Sequence, residues 1–239
     1  MQPLGNPFSY VGAILPDLMR YDISHKTAAE RFRPLLHHHH EYIHAVAAGI
    51  IIHQEADSYF HHCNTFYTLK ADVRTYLARS SSCTATSMLK RVLPHFIVEL
   101  SFDRFIITEY PHIPDETYSA LIQLTNVIPD DIAVRLPWTQ HQTQRYLNRF
   151  IEYDILKNTR HQEGIIHELK NLFSKLPDVS LSEADIQYVS TIVLHHTDAY
   201  MTTYHALLQE IRTACPTYKT LTSPSATTMP PLSRNAAHY

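Results

Sequence analysis

The sequence predicts an all-α protein, with a single helical domain over residues 1–215 and a mobile Ser/Thr/Pro-rich tail over 216–239. Three observations carry that expectation. Only 4 of 239 residues are glycine, whereas strand-rich folds need many turns, which glycine serves best. Apolar residues recur at helical spacing through several long stretches. The last 24 residues, from Pro216, are rich in Thr, Ser and Pro and contain no acid, a composition that does not build a core. A chain of this length forms one substantial core, and nothing in it demands a second domain.

The elements follow in order. Residues 1–40 mix Pro3, Pro7, Pro16 and Pro34 with short apolar pieces, which predicts short helices and loops. Glu41 to about Asn64 forms a helix, and 66–79 is an amphipathic one ended by Ser80-Ser81-Ser82. The next covers about 85–109, with Pro94 at a kink or break. Pro114-Asp115-Glu116 starts another, its acids in the first turn. Pro129-Asp130-Asp131 and Pro137 bracket a break. Helices over about 138–158 and 161–174 follow, and Leu181-Ser182-Glu183 opens a final one reaching about Ala214.

Net charge is −3 and no Lys/Arg block occurs, which disfavours a general nucleic-acid-binding role. The longest purely apolar run, Ala45–Ile52, is far too short to span a bilayer. Cys63, Cys83 and Cys215 are odd in number and not in C-x-x-C spacing, and no secretory leader opens the chain. The expectation is a reduced, soluble, cytoplasmic protein.

Two polar stripes stand out on apolar helices. His53, Asp57 and His61 are four residues apart, and His95, Glu99 and Asp103 repeat that step. Four residues are one turn plus a little, about 6 Å along the axis and about 40° around it. Imidazoles and carboxylates among Ile, Phe, Val and Leu are costly to bury without partners, and a cation serves both types. His53 and Asp57 can close on one ion with bonds near 2.0–2.2 Å, but His53 and His61 rise about 12 Å apart. His61 therefore belongs to a second ion or faces substrate. Glu99 and Asp103 can likewise share an ion, with His95 a turn away. The plain alternative for the second stripe is a salt-bridge network with Arg104 or Arg91; for Asp17, after Pro16 in an apolar segment, it is a helix cap.

Other motifs compete. His40-Glu41-Tyr42-Ile43-His44 fits the H-E-x-x-H pattern of zinc peptidases, in which two His bind zinc and Glu activates water. It ends the run His37-His38-His39-His40, so its first position is easily filled by chance, and no H-x-x-G-x-x-H extension follows. His195, His196 and Asp198 form either a further ligand set or a satisfied structural cluster. No G-x-S-x-G elbow, P-loop or dinucleotide fingerprint occurs.

Four segments, in order, resemble the acyl carrier protein phosphodiesterases, helical proteins related to the HD-type metal phosphohydrolases. The G-A-I-L-P-D segment is similar to the family's G-N-L-x-x-D and places Asp17. The V-A-A-G-I-I-I-H-Q-E-A-D segment is similar to V-x-G-I-x-x-H-x-x-I-D and places His53 and Asp57. E-L-S-F-D-R-F-I supplies two acids four apart, Glu99 and Asp103. Y-L-N-R-F-I-E-Y-D is similar to L-x-R-Y-x-x-x-D and places Arg149 and Asp154. The likeness spans about residues 10–156. The chain departs from the family in lacking an H-x-H pair near Met1 and in carrying His61 where members have an acid.

The resemblance implies a metal-dependent phosphodiester hydrolase that releases 4'-phosphopantetheine from a serine of holo-acyl carrier protein. A divalent ion, Mn²⁺ by resemblance, with Fe²⁺ or Zn²⁺ also suited to mixed N/O ligands, would be held by Asp17, His53, Asp57 and an acid on the second helix, Glu99 or Asp103. It would lower the pKa of bound water toward neutrality. His61 or His95 would protonate the leaving oxygen, and Arg149 would hold a phosphate oxygen. The expected partner is acyl carrier protein, docked through Arg20, Arg104 and Arg149, with no nucleic acid and no membrane. A different class of reading is a helical binding or scaffold protein whose stripes form a structural network.

Overall fold

The computed structural model describes residues 6–19, 22–79, 87–174 and 181–222. Among them 84% are helical and none is strand. The helices are α1 (Phe8–Met19), α2 (His25–Phe32), a 3-10 turn (Arg33–His37), α3 (Glu41–His62), α4 (Asn64–Arg79), α5 (Ser87–Glu109), α6 (Ile113–Asn126) and α7 (Asp130–Ala133). They continue with α8 (Gln140–Glu152), α9 (Ile155–Asn158), α10 (Gln162–Phe173), α11 (Glu183–Ala199), α12 (Met201–Ala214) and α13 (Pro216–Thr222). No helix among the described residues is long and apolar enough to cross a membrane.

Local chemistry sets most boundaries. Ser24 accepts a hydrogen bond from the Thr27 amide at the start of α2, and Ser182 does the same for Asp185 at α11. Thr139 and Gln142 form a reciprocal capping box at α8, satisfying amides that have no partner inside a helix. Four expected boundaries shift. Pro94 lies inside α5 without ending it. The helix expected over 138–158 divides at Asp154, whose backbone is left-handed (φ 45°), a conformation that stops an α-helix and that Asp tolerates better than most residues. The final helix divides at Tyr200, whose ring stacks on His196 at 4.4 Å and whose hydroxyl donates to Asp72 at 3.1 Å. The tail expected from Pro216 begins later: α13 is helical because Glu55 on α3 accepts from both the Thr217 amide (3.0 Å) and its hydroxyl (2.8 Å). Residues 223–239 of the expected tail lie outside the described residues.

Two apolar clusters make the interior. One gathers α1, α2, the first half of α3, α6 and α8 around Leu15, Phe32, Ile50, Leu121 and Leu147. The other gathers α4, α5, α10, α11 and α12 around Phe66, Phe105, Leu169, Val189 and Tyr204, with Phe60 reaching it from the end of α3. Helix α3 therefore runs from one cluster into the other. Its first half is buried from Ala45 through Ile51, and its second half carries the polar stripe at the seam.

The closest packing is between α1 and α3. A Cβ on Gly12 would stand 2.1 Å from the Val46 carbonyl oxygen, and one on Gly49 would stand 2.0 Å from that of Ser9. Only glycine at both positions lets the two backbones touch. We expect Gly12→Ala to lower stability by about 2 kcal/mol: the clash costs about 1–3 kcal/mol and the helix-propensity gain returns up to about 1 kcal/mol. For a domain of this size, calorimetry should read a melting point lower by roughly 5 °C. An unchanged or higher melting point would refute the contact.

His196 generates a second expectation. It is buried, its Nδ1 is bonded to the Tyr204 hydroxyl at 2.9 Å, and its Nε2 has no partner. Burial pushes its pKa down to about 4. The unfolded chain therefore binds a proton between about pH 6.5 and about pH 4 that the folded chain refuses, so stability falls as pH drops through that window. His196→Phe should flatten this part of a denaturant-midpoint profile. A slope equal to wild type would sink the assignment.

Candidate metal centre

Four helices converge on the seam. Helix α1 supplies Asp17, α2 supplies His25, α3 supplies His53, Asp57 and His61, and α5 supplies His95, Glu99 and Asp103. The glycine crossing carries Asp17 over the second half of α3. His25 is placed by the turn between α1 and α2: the Asp22 amide donates to the Met19 carbonyl, and the Asp22 carboxylate accepts from the Trp138 indole at 2.8 Å.

The side chains form two trios with metal-ligating geometry, Asp17–His25–His53 and His61–His95–Glu99. In the first, Asp17 Oδ1 lies 3.5 Å from His25 Nε2 and 4.0 Å from His53 Nε2. In the second, Glu99 Oε1 lies 3.2 Å from His61 Nε2 and 3.0 Å from His95 Nε2. Two bonds of about 2.1 Å span at most about 4.2 Å, and neighbouring ligands on a tetrahedron stand about 3.4 Å apart. All four separations fit a common ion in each trio. Asp57 lies between the trios, with Oδ2 3.4 Å from His25 Nδ1 and Oδ1 3.0 Å from His61 Nε2.

The ring nitrogens argue for more than a salt-bridge network. His53 Nε2 is buried and has no hydrogen-bond partner, while the ring is bonded to the Ala13 backbone. With Nε2 unpartnered, that bond belongs to Nδ1, which leaves a lone pair on Nε2 aimed at Asp17, the arrangement that orients a metal-ligating histidine. An orphaned buried nitrogen costs about 1–3 kcal/mol in a network that holds nothing.

Electrostatics follow from the same contacts. Burial lowers the His53 pKa despite the nearby Asp17. Hydrogen bonds from Asp57 and then Glu99 push His61 up to about 9 against burial. Burial would raise Asp57 and Glu99, but hydrogen bonds from their histidines win and hold both below the usual carboxylate range. Asp103 behaves oppositely. It reaches solvent, and desolvation and then the charges of Asp17, Glu99 and Glu168 push it up to about 8.

Of the residues expected at the metal, Asp17, His53 and Glu99 each fall in a trio. Asp57 is the link between trios, not a member of one. Asp103, one turn beyond Glu99, belongs to neither trio, and the charges acting on it are those of Asp17, Glu99 and Glu168. His61 and His95, expected as proton donors, stand among the ligands, their rings stacked 4.9 Å apart. His25 escaped sequence reading, because it sits on another helix at no periodic distance from either stripe. Its only local signal is the Ser24 cap that starts α2.

Arg149 is not at the site. It lies on the exposed face of α8 in a shallow groove with His141, Gln144, Arg145, Asn148 and Glu152, stacked over the Tyr153 ring. Helix α8 packs on α6, and Arg149 faces the groove on its outer side and lies in neither trio, so the phosphate-holding role expected for it is withdrawn. Arg104 donates to Asp198 at 2.8 Å and to the Arg160 carbonyl, which satisfies Asp198 structurally and removes Arg104 from the expected docking set. Arg20 lies outside the described residues. The H-E-x-x-H match gathers no third ligand among the described residues. His44 spends Nδ1 on the Leu36 carbonyl at 2.7 Å, and Glu41 accepts from Asn6.

No protein-family model, no curated protein and no solved structure matches the chain. Geometry must therefore carry the functional reading. We expect Asp57→Asn to weaken Mn²⁺ binding at least about tenfold, as loss of a group bonded to ligating histidines does, while Glu41→Gln leaves it unchanged. Equal effects of the two substitutions in a calorimetric titration would shift the centre to the H-E-x-x-H segment.

Proposed function

We propose that the protein is a divalent-metal-dependent phosphodiester hydrolase, acting at the seam between the two clusters. The observation that carries this reading is the pair of His/carboxylate trios across α1, α2, α3 and α5, with His53 Nε2 left without a hydrogen-bond partner. Mixed imidazole and carboxylate donors suit Mn²⁺, Fe²⁺ or Zn²⁺. A bound divalent ion would supply Lewis acidity toward a phosphoryl oxygen and make a nearby water more acidic.

The chain's own residues would do the rest. Asp17, His25 and His53 would hold one position, and His61, His95 and Glu99 the other. Asp57 would keep His25 and His61 oriented through its two oxygens. Asp103 would take the proton-donating role that the ligand geometry removes from His61 and His95. It is reachable from solvent and stands one turn past Glu99, outside both trios, which leaves its carboxyl free for proton transfer. The resemblance to acyl carrier protein phosphodiesterases in the segments around Asp17, His53 and Glu99 supports holo-acyl carrier protein as the first substrate to test.

Protein purified without a tag or immobilised metal should, with Mn²⁺, cleave holo-acyl carrier protein or a simple aryl phosphodiester. Asp103→Asn should lower kcat by about 100-fold or more and leave the bound-metal content unchanged. Folded, metal-loaded protein that turns over no phosphodiester would sink the hydrolase reading and leave a metal-binding helical protein. Loss of metal in Asp103→Asn would return that residue to the ligand set.

A further inference from the structure

We propose that the two trios hold two divalent ions at once, and that Asp57 couples them, one carboxylate oxygen serving each side. This deepens the metal-dependent reading above and rests on it only for the identity of the ligands.

The argument starts from distances. His61 Nε2 lies 3.0 Å from Asp57 Oδ1 and 3.2 Å from Glu99 Oε1. Asp57 Oδ1 therefore stands against the second trio's histidine from just outside that trio. The other oxygen does different work. Asp57 Oδ2 lies 3.4 Å from His25 Nδ1, while His25 Nε2 lies 3.5 Å from Asp17 Oδ1. The His25 ring thus spans the two carboxylates. With a proton on Nδ1 donated to Asp57, its Nε2 lone pair faces Asp17 and the orphaned Nε2 of His53. A carboxylate behind an imidazole fixes the tautomer and strengthens the nitrogen as a ligand. Asp57 would act on one ion through His25 and on the other through its contact with His61.

Charge balance favours double loading. The two trios and their link contain three carboxylates, Asp17, Asp57 and Glu99, in a region that also holds Asp103 and Glu168. One divalent ion leaves this set negative, whereas two offset the three carboxylates. A single ion cannot collect all the histidines, since His53 and His61 sit two turns apart on α3, about 12 Å along the axis. One ion would leave one trio's histidines without a role.

The test uses tag-free, chelator-treated full chain and Mn²⁺ as the probe, followed by titration calorimetry and by electron paramagnetic resonance of free Mn²⁺. Tag-free handling matters because the His37–His40 run would bind metal adventitiously, and a variant with all four of these histidines replaced by alanine reports that background. Wild type should bind two ions per chain above it. His25→Ala and His95→Ala should each lose one and retain the other. Asp57→Asn should weaken both by at least about tenfold, and Asp57→Glu, which keeps the charge and the helix, should also weaken both if the asparagine variant does not fold. One ion per chain in wild type overturns the proposal. So does an Asp57 variant that weakens a single ion. Because the readout is binding, failure to hydrolyse any phosphodiester would leave the two-ion assignment standing and remove only the reaction.

Discussion

The contact on which the rest depends is the backbone crossing of α1 and α3 at Gly12 and Gly49. A Cβ on Gly12 would stand 3.0 Å from the Gly49 Cα, and one on Gly49 would stand 2.9 Å from the Gly12 Cα. Spreading the helices by a normal side-chain layer would move them to the usual 8–10 Å interaxial distance and would lift Asp17, five residues after Gly12, away from His53, four residues after Gly49. The two glycines that bring the helices together are thus one turn or so from the two ligands they bring together. A close crossing of backbones is a rigid reference, because packed helices have little freedom to slide.

That logic explains which parts were legible in the sequence. The glycines and their ligands lie in the same short segments, G-A-I-L-P-D and G-I-I-I-H-Q-E-A-D, so Asp17, His53 and Asp57 were readable as a group. The His95 and Glu99 step was readable because four-residue spacing on an apolar helix is visible without a partner. What failed to show was anything depending on a third helix. His25 has no periodic relation to the stripes, and its position depends on the Asp22–Trp138 hydrogen bond across 116 residues. Arg149 was misplaced for the mirror reason. Its segment is similar to a family motif, but α8 turns Leu147 and Phe150 into the interior and leaves Arg149 on the outer face.

Roles were less legible than positions. A four-step stripe states that His61 and Asp103 face the same way as their neighbours, not which of them meets a carboxylate. The structure reverses the expectation: the histidines join the carboxylates, while Asp103 is left among like charges. The difference is electrostatic, since a histidine between two acids gains from both, and an acid between three acids loses from all. Helix breaks were missed for a related reason. At Asp154 and Tyr200 the stopping signals are a left-handed aspartate and a tyrosine satisfied by distant partners, neither of which marks a break in sequence.

The location of the polar cluster follows from how α3 is used. Its first half is apolar on every side and fills one cluster, and Phe60 near its end enters the other. Between them α3 passes through a seam that neither cluster fills. Apolar side chains there would pack more simply, and replacing buried ion pairs by hydrophobic residues is often neutral or stabilising by about 1–4 kcal/mol. A chain under selection for stability alone has no reason to keep three histidines of α3 and α5, with His25, among carboxylates at that seam, with two buried nitrogens, His53 Nε2 and His61 Nδ1, lacking hydrogen-bond partners. Double loading with cations changes the balance, because each ion satisfies nitrogen and oxygen donors together and its binding energy is added to that of folding. On the two-ion proposal, the seam is therefore where this fold would exchange stability of the empty protein for affinity toward ions, and the two glycines of α1 and α3 bring Asp17 and His53 close enough for it.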